Sequence, residues 1–227
     1  MTVPRAGRPP RPFPRERLAA NSLEAARAVL GARLVREPDP GVPPTDPLGR
    51  IRVGRIVEVE AYVGLEDQAS HARIGPTDRN RVMFGPPGIA YVYLVYGMHH
   101  CLNVVTEPAP RPAALLVRAV EPLEGLDAMR AARATVARRP ATRVIPGPRV
   151  AAGPGLVAAA FSIDRRHTGT DLCDPASPLR LEPAPDDEAV PDVVATPRVG
   201  IGYAGEPWVS VPWRLLVRGS LSLSRAR

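Results

Sequence analysis

Residues 51–64 read IRVGRIVEVEAYVG. The stretch is rich in Val and Ile, carries no proline, and alternates apolar with polar positions, which predicts a β-strand. At strict period two, Val57, Val59, Ala61 and Val63 face one way, toward the core. Ile56, Glu58, Glu60 and Tyr62 face the other, so one strand face carries two carboxylates and a tyrosine. A solvated face of an edge strand and a chemically active face are both open at this point. The segment ALLVRAV (114–120) repeats the pattern. Leu115, Val117 and Ala119 share one side, and Leu116, Arg118 and Val120 the other. A lone arginine in so apolar a strand is costly to bury unless paired, and Glu58 or Glu60 would serve as its partner.

Further strands are predicted over 89–96, 101–106, 198–203 and 213–217. NSLEAARAVLG reads as a helix with Asn21 as cap, Glu24 as capping-box partner and Gly31 as its end. A second helix is expected around Leu126–Arg133, and GPGLVAAAFSI (153–163) reads as a turn opening a third. Residues 37–50 and 173–197 are proline-rich loops. With no internal repeat and no linker between two apolar segments, the expectation is one α+β domain over 17–227 with strands near its centre. The Pro- and Arg-rich residues 1–16 are expected to form a disordered arm.

Length and composition bound the function. The 227 residues suffice for a single large core. No apolar run approaches the ~18 residues of a membrane span, and the N-terminal stretch lacks the apolar core of a secretory signal. Cys101 and Cys173 make no disulfide framework and share no metal-ligand spacing. The expected location is therefore a reduced compartment. Basic residues outnumber acidic ones 30 to 23, the sequence pI is about 10.3, and all 30 are arginine. A guanidinium surface suits phosphate, and without lysine no side-chain amine is available for a Schiff base.

Three of the five tyrosines fall in YVYLVYGMHH, residues 91–100. Tyr91 and Tyr93 share a face, while Tyr96 points oppositely or is re-aimed by Gly97. Aromatic core packing is one reading. The other is that rings beside a turn stack on bases, at ~1–3 kcal/mol each, or wedge between base pairs. His71, in QASHARIG, reads either as a surface or capping histidine or as a site residue.

The run VEVEAYVGLEDQASHARIGPTDRNRVMFGPPGIAYVYLVYGMHHCLNVV resembles the alkyladenine (3-methyladenine) DNA glycosylase family. The similarity continues through ALLVRAVEPLEG, GPGLVAAAFSID, PRVGIGYAGE and PWRLLVRG, roughly residues 20 to 220. The resemblance implies a central, curved, mainly antiparallel sheet surrounded by helices, with a protruding β-hairpin for minor-groove insertion. It implies that Glu60 is the base activating a hydrolytic water and that Arg118 holds that water and keeps Glu60 ionised. Tyr62 and Tyr93 would sandwich a flipped base, His71 would complete the wall, and Asn103 and Leu116 would line the pocket. Tyr96 would be the wedge, with Met98 beside it, and Glu58 is given no catalytic role.

The chain departs from better-known members of that family at four places. His99–His100 replace a bulkier aromatic pair, and the loop between His71 and Tyr93 is one residue shorter. Leu215 stands where Phe is common, and Leu156 where Lys is common.

The expected function is excision of damaged purines (3-methyladenine, 7-methylguanine, hypoxanthine, ethenoadenine class) from double-stranded DNA, leaving an abasic site. The enzyme would be monofunctional, monomeric, free of metal and cofactor, and located in the bacterial cytosol or nucleoid. Three other readings are weighed against it. A helix-hairpin-helix glycosylase needs a lysine or a well-placed aspartate after 153–155, and Asp164 fits loosely. A non-catalytic lesion-binding protein has no use for Glu60 and Arg118. A metal enzyme on His99, His100 and Cys101 is disfavoured because neighbours on a strand face opposite ways.

Overall fold

Asn21 shows how the local signals are realised. Its side chain accepts hydrogen bonds from the Leu23 and Glu24 amides, both at 3.1 Å, and so opens a helix over Ser22–Val29 (α2). That helix buries Ala25, Ala26 and Val29 on one face. The computed structural model describes residues 9–137 and 143–225. Of the arm expected over 1–16, residues 1–8 lie outside the described residues. Phe13 is already 2% exposed within the core, and a short helix (α1, Arg15–Ala19) follows it. Arg15 is tied to the Pro87 carbonyl and to Asp171, both at 2.5 Å. Packing therefore begins upstream of residue 17.

Eight strands among the described residues form one antiparallel sheet, curled into a half-barrel. They are β1 (Arg33–Arg36), β2 (Arg52–Val63), β3 (Ala90–Val95), β4 (His99–Val105), β5 (Ala113–Glu124), β6 (Leu179–Glu182), β7 (Val193–Thr196) and β8 (Arg214–Val217). The order is β3-β4-β5-β2-β1-β6, with β8 pairing β2 and β7 pairing β8. Two more helices, α3 (Leu126–Thr135) and α4 (Pro154–Ala160), complete an α+β fold.

β2 is the axis of the sheet. One edge is taken throughout by β5; the other is shared, first by β1 over Arg52–Arg55 and then by β8 over Glu58–Glu60. Where the second edge changes partner, the β2–β5 register slips twice. Ile56 opposes Val120, Glu58 opposes Ala119, and Val59 opposes Val117. Val57 is thus the extra residue on β2 and Arg118 the extra residue on β5, a pair of facing bulges that cancel. The strict alternation expected for 56–63 is corrected accordingly. Ile56, Val59 and Ala61 join the core cluster, with Leu115, Val117 and Val120 from β5 and Val157 and Phe161 beside them. Val57 and Ala119 are buried outside that cluster.

The second face of β2 is not solvated, because the strand is central: Glu58 and Glu60 are both 0% exposed. Residues 198–203, expected as a strand, are irregular and end in a single helical turn, Gly202–Ala204. β1 is a short strand where the sequence predicts no element. β6 and β7 both fall within the stretch expected as an unbroken loop.

Candidate active site

The facing bulges put Arg118 among carboxylates. Its Nε donates to Glu58 Oε1 at 3.0 Å and its Nη1 to Glu60 Oε2 at 3.2 Å. The partner inferred from residue economy is thus both glutamates at once. Glu60 also accepts from the Val199 amide at 2.7 Å through Oε1 and from the Tyr62 hydroxyl at 2.9 Å through Oε2. Glu58 accepts from Arg214 Nε at 2.7 Å and from both the amide and the hydroxyl of Ser224, at 2.6 and 2.7 Å. Burial would push the Glu58 carboxyl up. The Ser224 hydroxyl and amide, then Arg214 and Arg118, outweigh that and hold it below the usual carboxylate range. Burial likewise works against the charge of Arg118, but Glu60 and Glu58 raise its affinity for its proton.

Tyr62 is fixed from behind. Arg198 stacks on its ring at 4.7 Å and on Trp213 at 5.1 Å. The same guanidinium makes a two-pronged ion pair with Asp67, at 2.6 and 2.9 Å, both side chains being 0% exposed. Asp67 in turn accepts from the Val63 and Ala69 amides. Burial, and next the charge of Glu60, raise the Tyr62 hydroxyl well above its ordinary value, so it stays a proton donor. Sequence reasoning did not single out Asp67, Arg198, Arg214 or Ser224. For Arg198 a signal existed, since a lone arginine precedes the glycine-spaced VGIGYAG much as Arg118 interrupts its apolar strand.

Tyr62 and Tyr93 line an open cavity together with His71, Asn103, Tyr91, Met83, Ala69, Ala114 and Tyr203. Of the expected pocket residues, Leu116 is not on this wall. It lies on β5 between Glu60 and Asn103 in register and is 4% exposed. Glu60 does not line the cavity either; it meets the cavity through the Tyr62 hydroxyl. Asn103 donates its side-chain amide to the Tyr91 carbonyl at 3.0 Å, which fixes the plane of the amide.

His71 packs edge-on against Tyr93 at 4.5 Å, and its Nδ1 is 3.0 Å from the Tyr91 hydroxyl, leaving Nε2 for a ligand. Burial, with Arg79 and Arg73 adding to it, lowers the ring to about 4, so it is neutral at pH 7. Tyr91 is 1% exposed and acts as the support behind His71 and Tyr93, so core packing and site construction are the same role here. Arg79 lies 5.4 Å over the Tyr93 ring, so an arginine flanks each of the two tyrosine walls.

β3 and β4 are joined by a tight turn. The Met98 amide donates to the Val95 carbonyl at 3.2 Å, and both central residues have positive φ, Tyr96 at 52° and Gly97 at 66°. The register leaves Tyr96, Gly97 and Met98 between the paired Val95 and His99, and positive φ at both central positions of the turn is the twist-matched geometry in which Asn, Asp or Gly is the usual first residue. A bulky ring there is strained, and it is 85% exposed, with Met98 at 45%. Thus the odd composition of YVYLVYGMHH divides in two: Tyr91 and Tyr93 build a wall, and Tyr96 projects.

Among the described residues no group of three or more His, Cys, Asp or Glu is placed to hold a metal ion, and no helix is long and apolar enough to cross a membrane. Cys101 and Cys173 are both buried free thiols. Burial pushes the Cys101 thiol up to about 11 and the Cys173 thiol likewise to about 11.

Comparison with known proteins identifies the family. A protein of Methanocella arvoryzae named among the 3-methyladenine DNA glycosylases is 44% identical over 213 residues, covering 94% of this chain and 96% of its own. The human DNA-3-methyladenine glycosylase is 43% identical over 200 residues, 88% of this chain and 63% of its own. A similarly named Bacillus cereus protein is 38% identical over 209 residues, 90% of this chain and 95% of its own. The methylpurine-DNA glycosylase family model matches residues 16–221. The chain belongs to the methylpurine-DNA glycosylase family of N-glycosyl hydrolases.

Proposed function

We propose that the protein flips a damaged purine out of duplex DNA into the cavity between Tyr62 and Tyr93 and hydrolyses its N-glycosidic bond. The observation that carries this is the 2.9 Å hydrogen bond joining Tyr62, a cavity wall, to Glu60, a buried carboxylate held by Arg118. It couples a stacking surface to a proton acceptor within two residues of one strand.

Flipping costs a few kcal/mol of unstacking and unpairing. Two stacking partners at ~1–3 kcal/mol apiece offset it, and Tyr96, with Met98 beside it, fills the gap left in the duplex from the minor groove. In the chemical step the C1′–N bond breaks, its electron pair leaves with the base, and positive charge develops on the sugar. Glu60 takes a proton from the attacking water, whose oxygen forms the new bond to C1′, while the carboxylate stabilises the developing charge. Arg118 orients Glu60 and the water.

A purine alkylated at N3 or N7 is already cationic and departs without further protonation. The neutral His71 does not repel it, and the tyrosine faces attract it. Hypoxanthine and ethenoadenine need a proton supplied to the leaving base, and a ring that titrates near 4 does not supply it at pH 7. Selectivity then rests on cavity shape, with Asn103 rejecting the exocyclic amine of guanine and Leu116 held behind the wall, between Glu60 and Asn103 in register.

The chain has no lysine, so no side chain forms the Schiff base of a strand-cleaving lyase. The product is an intact abasic strand. The protein works as a monomer in the bacterial cytosol or nucleoid, needs neither metal nor cofactor, and binds duplex phosphates through arginine, more weakly as salt rises.

The test is product analysis after incubating purified protein with methylated duplex DNA and with duplexes bearing one hypoxanthine or one ethenoadenine. Free base is released, and the strand breaks only after alkali. Lesion binding without base release would replace the reading with that of a lesion-binding protein, and nicking without alkali would contradict the monofunctional chemistry.

A further inference from the structure

We infer that Glu58 and Ser224 are positioning residues for the reaction: together they clamp one edge of the Arg118 guanidinium, and the clamp aims Nη1 at Glu60. The inference rests on the proposal that Glu60 is the base.

A guanidinium is a rigid plane, so fixing two of its nitrogens fixes the third. Arg118 Nε donates to Glu58 Oε1 at 3.0 Å and to Ser224 Oγ at 3.3 Å, and Nη2 donates to the same Oγ at 3.2 Å. The Nη1 left over is the nitrogen 3.2 Å from Glu60 Oε2. Ser224 Oγ spends its one proton on Glu58 Oε1 at 2.7 Å and offers its lone pairs to Arg118. The hydroxyl therefore sits between the carboxylate and the guanidinium and fixes their relative angle.

The clamp is itself held in place. Glu58 Oε2 accepts the Ser224 amide at 2.6 Å, and Oε1 also takes Arg214 Nε at 2.7 Å. Arg149 donates to the Leu223 carbonyl at 2.8 Å, and Ser222 and Ser224 are 1% and 8% exposed. The fully buried Glu58 is ionised in these surroundings, so Arg118 bridges two carboxylates rather than collapsing onto one. Removing the Ser224 hydroxyl keeps every ion pair but lets the guanidinium turn toward Glu58, away from Glu60. An ångström-scale misplacement of this kind costs rate rather than binding.

The experiment compares the full chain with Ser224→Ala, Ser224→Thr and Glu58→Gln. It measures single-turnover release from a duplex with one ethenoadenine, affinity for the same duplex, and the thermal midpoint. Ser224→Ala is expected to slow release ~10-fold and Glu58→Gln ~100-fold, with affinity held within about twofold and Ser224→Thr restoring the rate. The rate-to-affinity split and the rescue by a second hydroxyl are what a merely structural serine does not produce. A wild-type rate in Ser224→Ala overturns the inference, as does equal loss of rate and affinity in Ala and Thr variants alike. Absence of release by the wild-type chain is read separately and overturns the glycosylase proposal, and this one with it.

Discussion

Arg118 Nη1 stands 3.2 Å from Glu60 Oε2 because Arg118 is the unpaired residue of a bulge. Regular pairing would place it opposite a β2 residue and fix its direction by the pleat. The extra residue frees the side chain to meet two carboxylates that share the non-core face of β2.

Truncating that arginine leaves Glu58 and Glu60 buried with their shared cation gone. Arg118→Ala is expected to lower unfolding free energy by ~3–5 kcal/mol, the usual cost of breaking a buried pair. Urea titration followed by tryptophan fluorescence measures it; a loss below about 1 kcal/mol contradicts the electrostatic account of the centre.

Asp67 and Arg198 form a fully buried pair, and the arginine carries the ring of Tyr62. Asp67→Ala is expected to destabilise by a similar ~3–5 kcal/mol. Release should also slow, because the tyrosine wall loses its backing. Denaturation and single-turnover rates on the same preparation separate the two effects.

Tyr96 pays for its position with positive φ. Tyr96→Asn, the residue this turn prefers, is expected to raise stability by ~0.5–1 kcal/mol while slowing excision at least ~10-fold. A thermal midpoint that falls would contradict the strain, and an unchanged rate the wedge.

The His71 ring titrates near 4 in the fold, below its ordinary 6.5. The unfolded chain therefore binds more protons between those values, and stability falls as pH drops from about 6.5 toward 4. His71→Phe is expected to flatten that part of the stability–pH curve. Histidine ring signals in NMR spectra should show one ring still neutral at pH 5.

Much of this was legible in the chain. The apolar alternation of 51–64, the lone arginine of ALLVRAV and the clustered tyrosines marked the central strand, its cation and a wall of the cavity. What stayed hidden depended on the third dimension. A period of two cannot show where a second bulge cancels the first, so strict alternation puts Val57 in the core and Ile56 outside it, the reverse of the core cluster found. Arg198 and Ser224 lie well over a hundred residues from their partners Asp67 and Glu58; nothing local marks Ser224, and the glycine-spaced run after Arg198 does not name its partner. The short strands β6 and β7 each hold four residues between prolines and acidic turns, too few for a period to emerge. Leu116 and Asn103 are both expected to line the pocket; they pair in register, and Asn103 lies on the cavity wall while Leu116 does not.

The central claim is that the carboxylate of Glu60 does the chemistry, and Glu60→Gln tests it most directly. Gln keeps the size of the side chain and an oxygen for the Val199 amide, and it removes the charge. On a duplex with one ethenoadenine, the account predicts lesion binding within about twofold of the parent and single-turnover release slowed by at least ~100-fold. Release at a rate near that of the parent would contradict it and move the search for the base away from this strand.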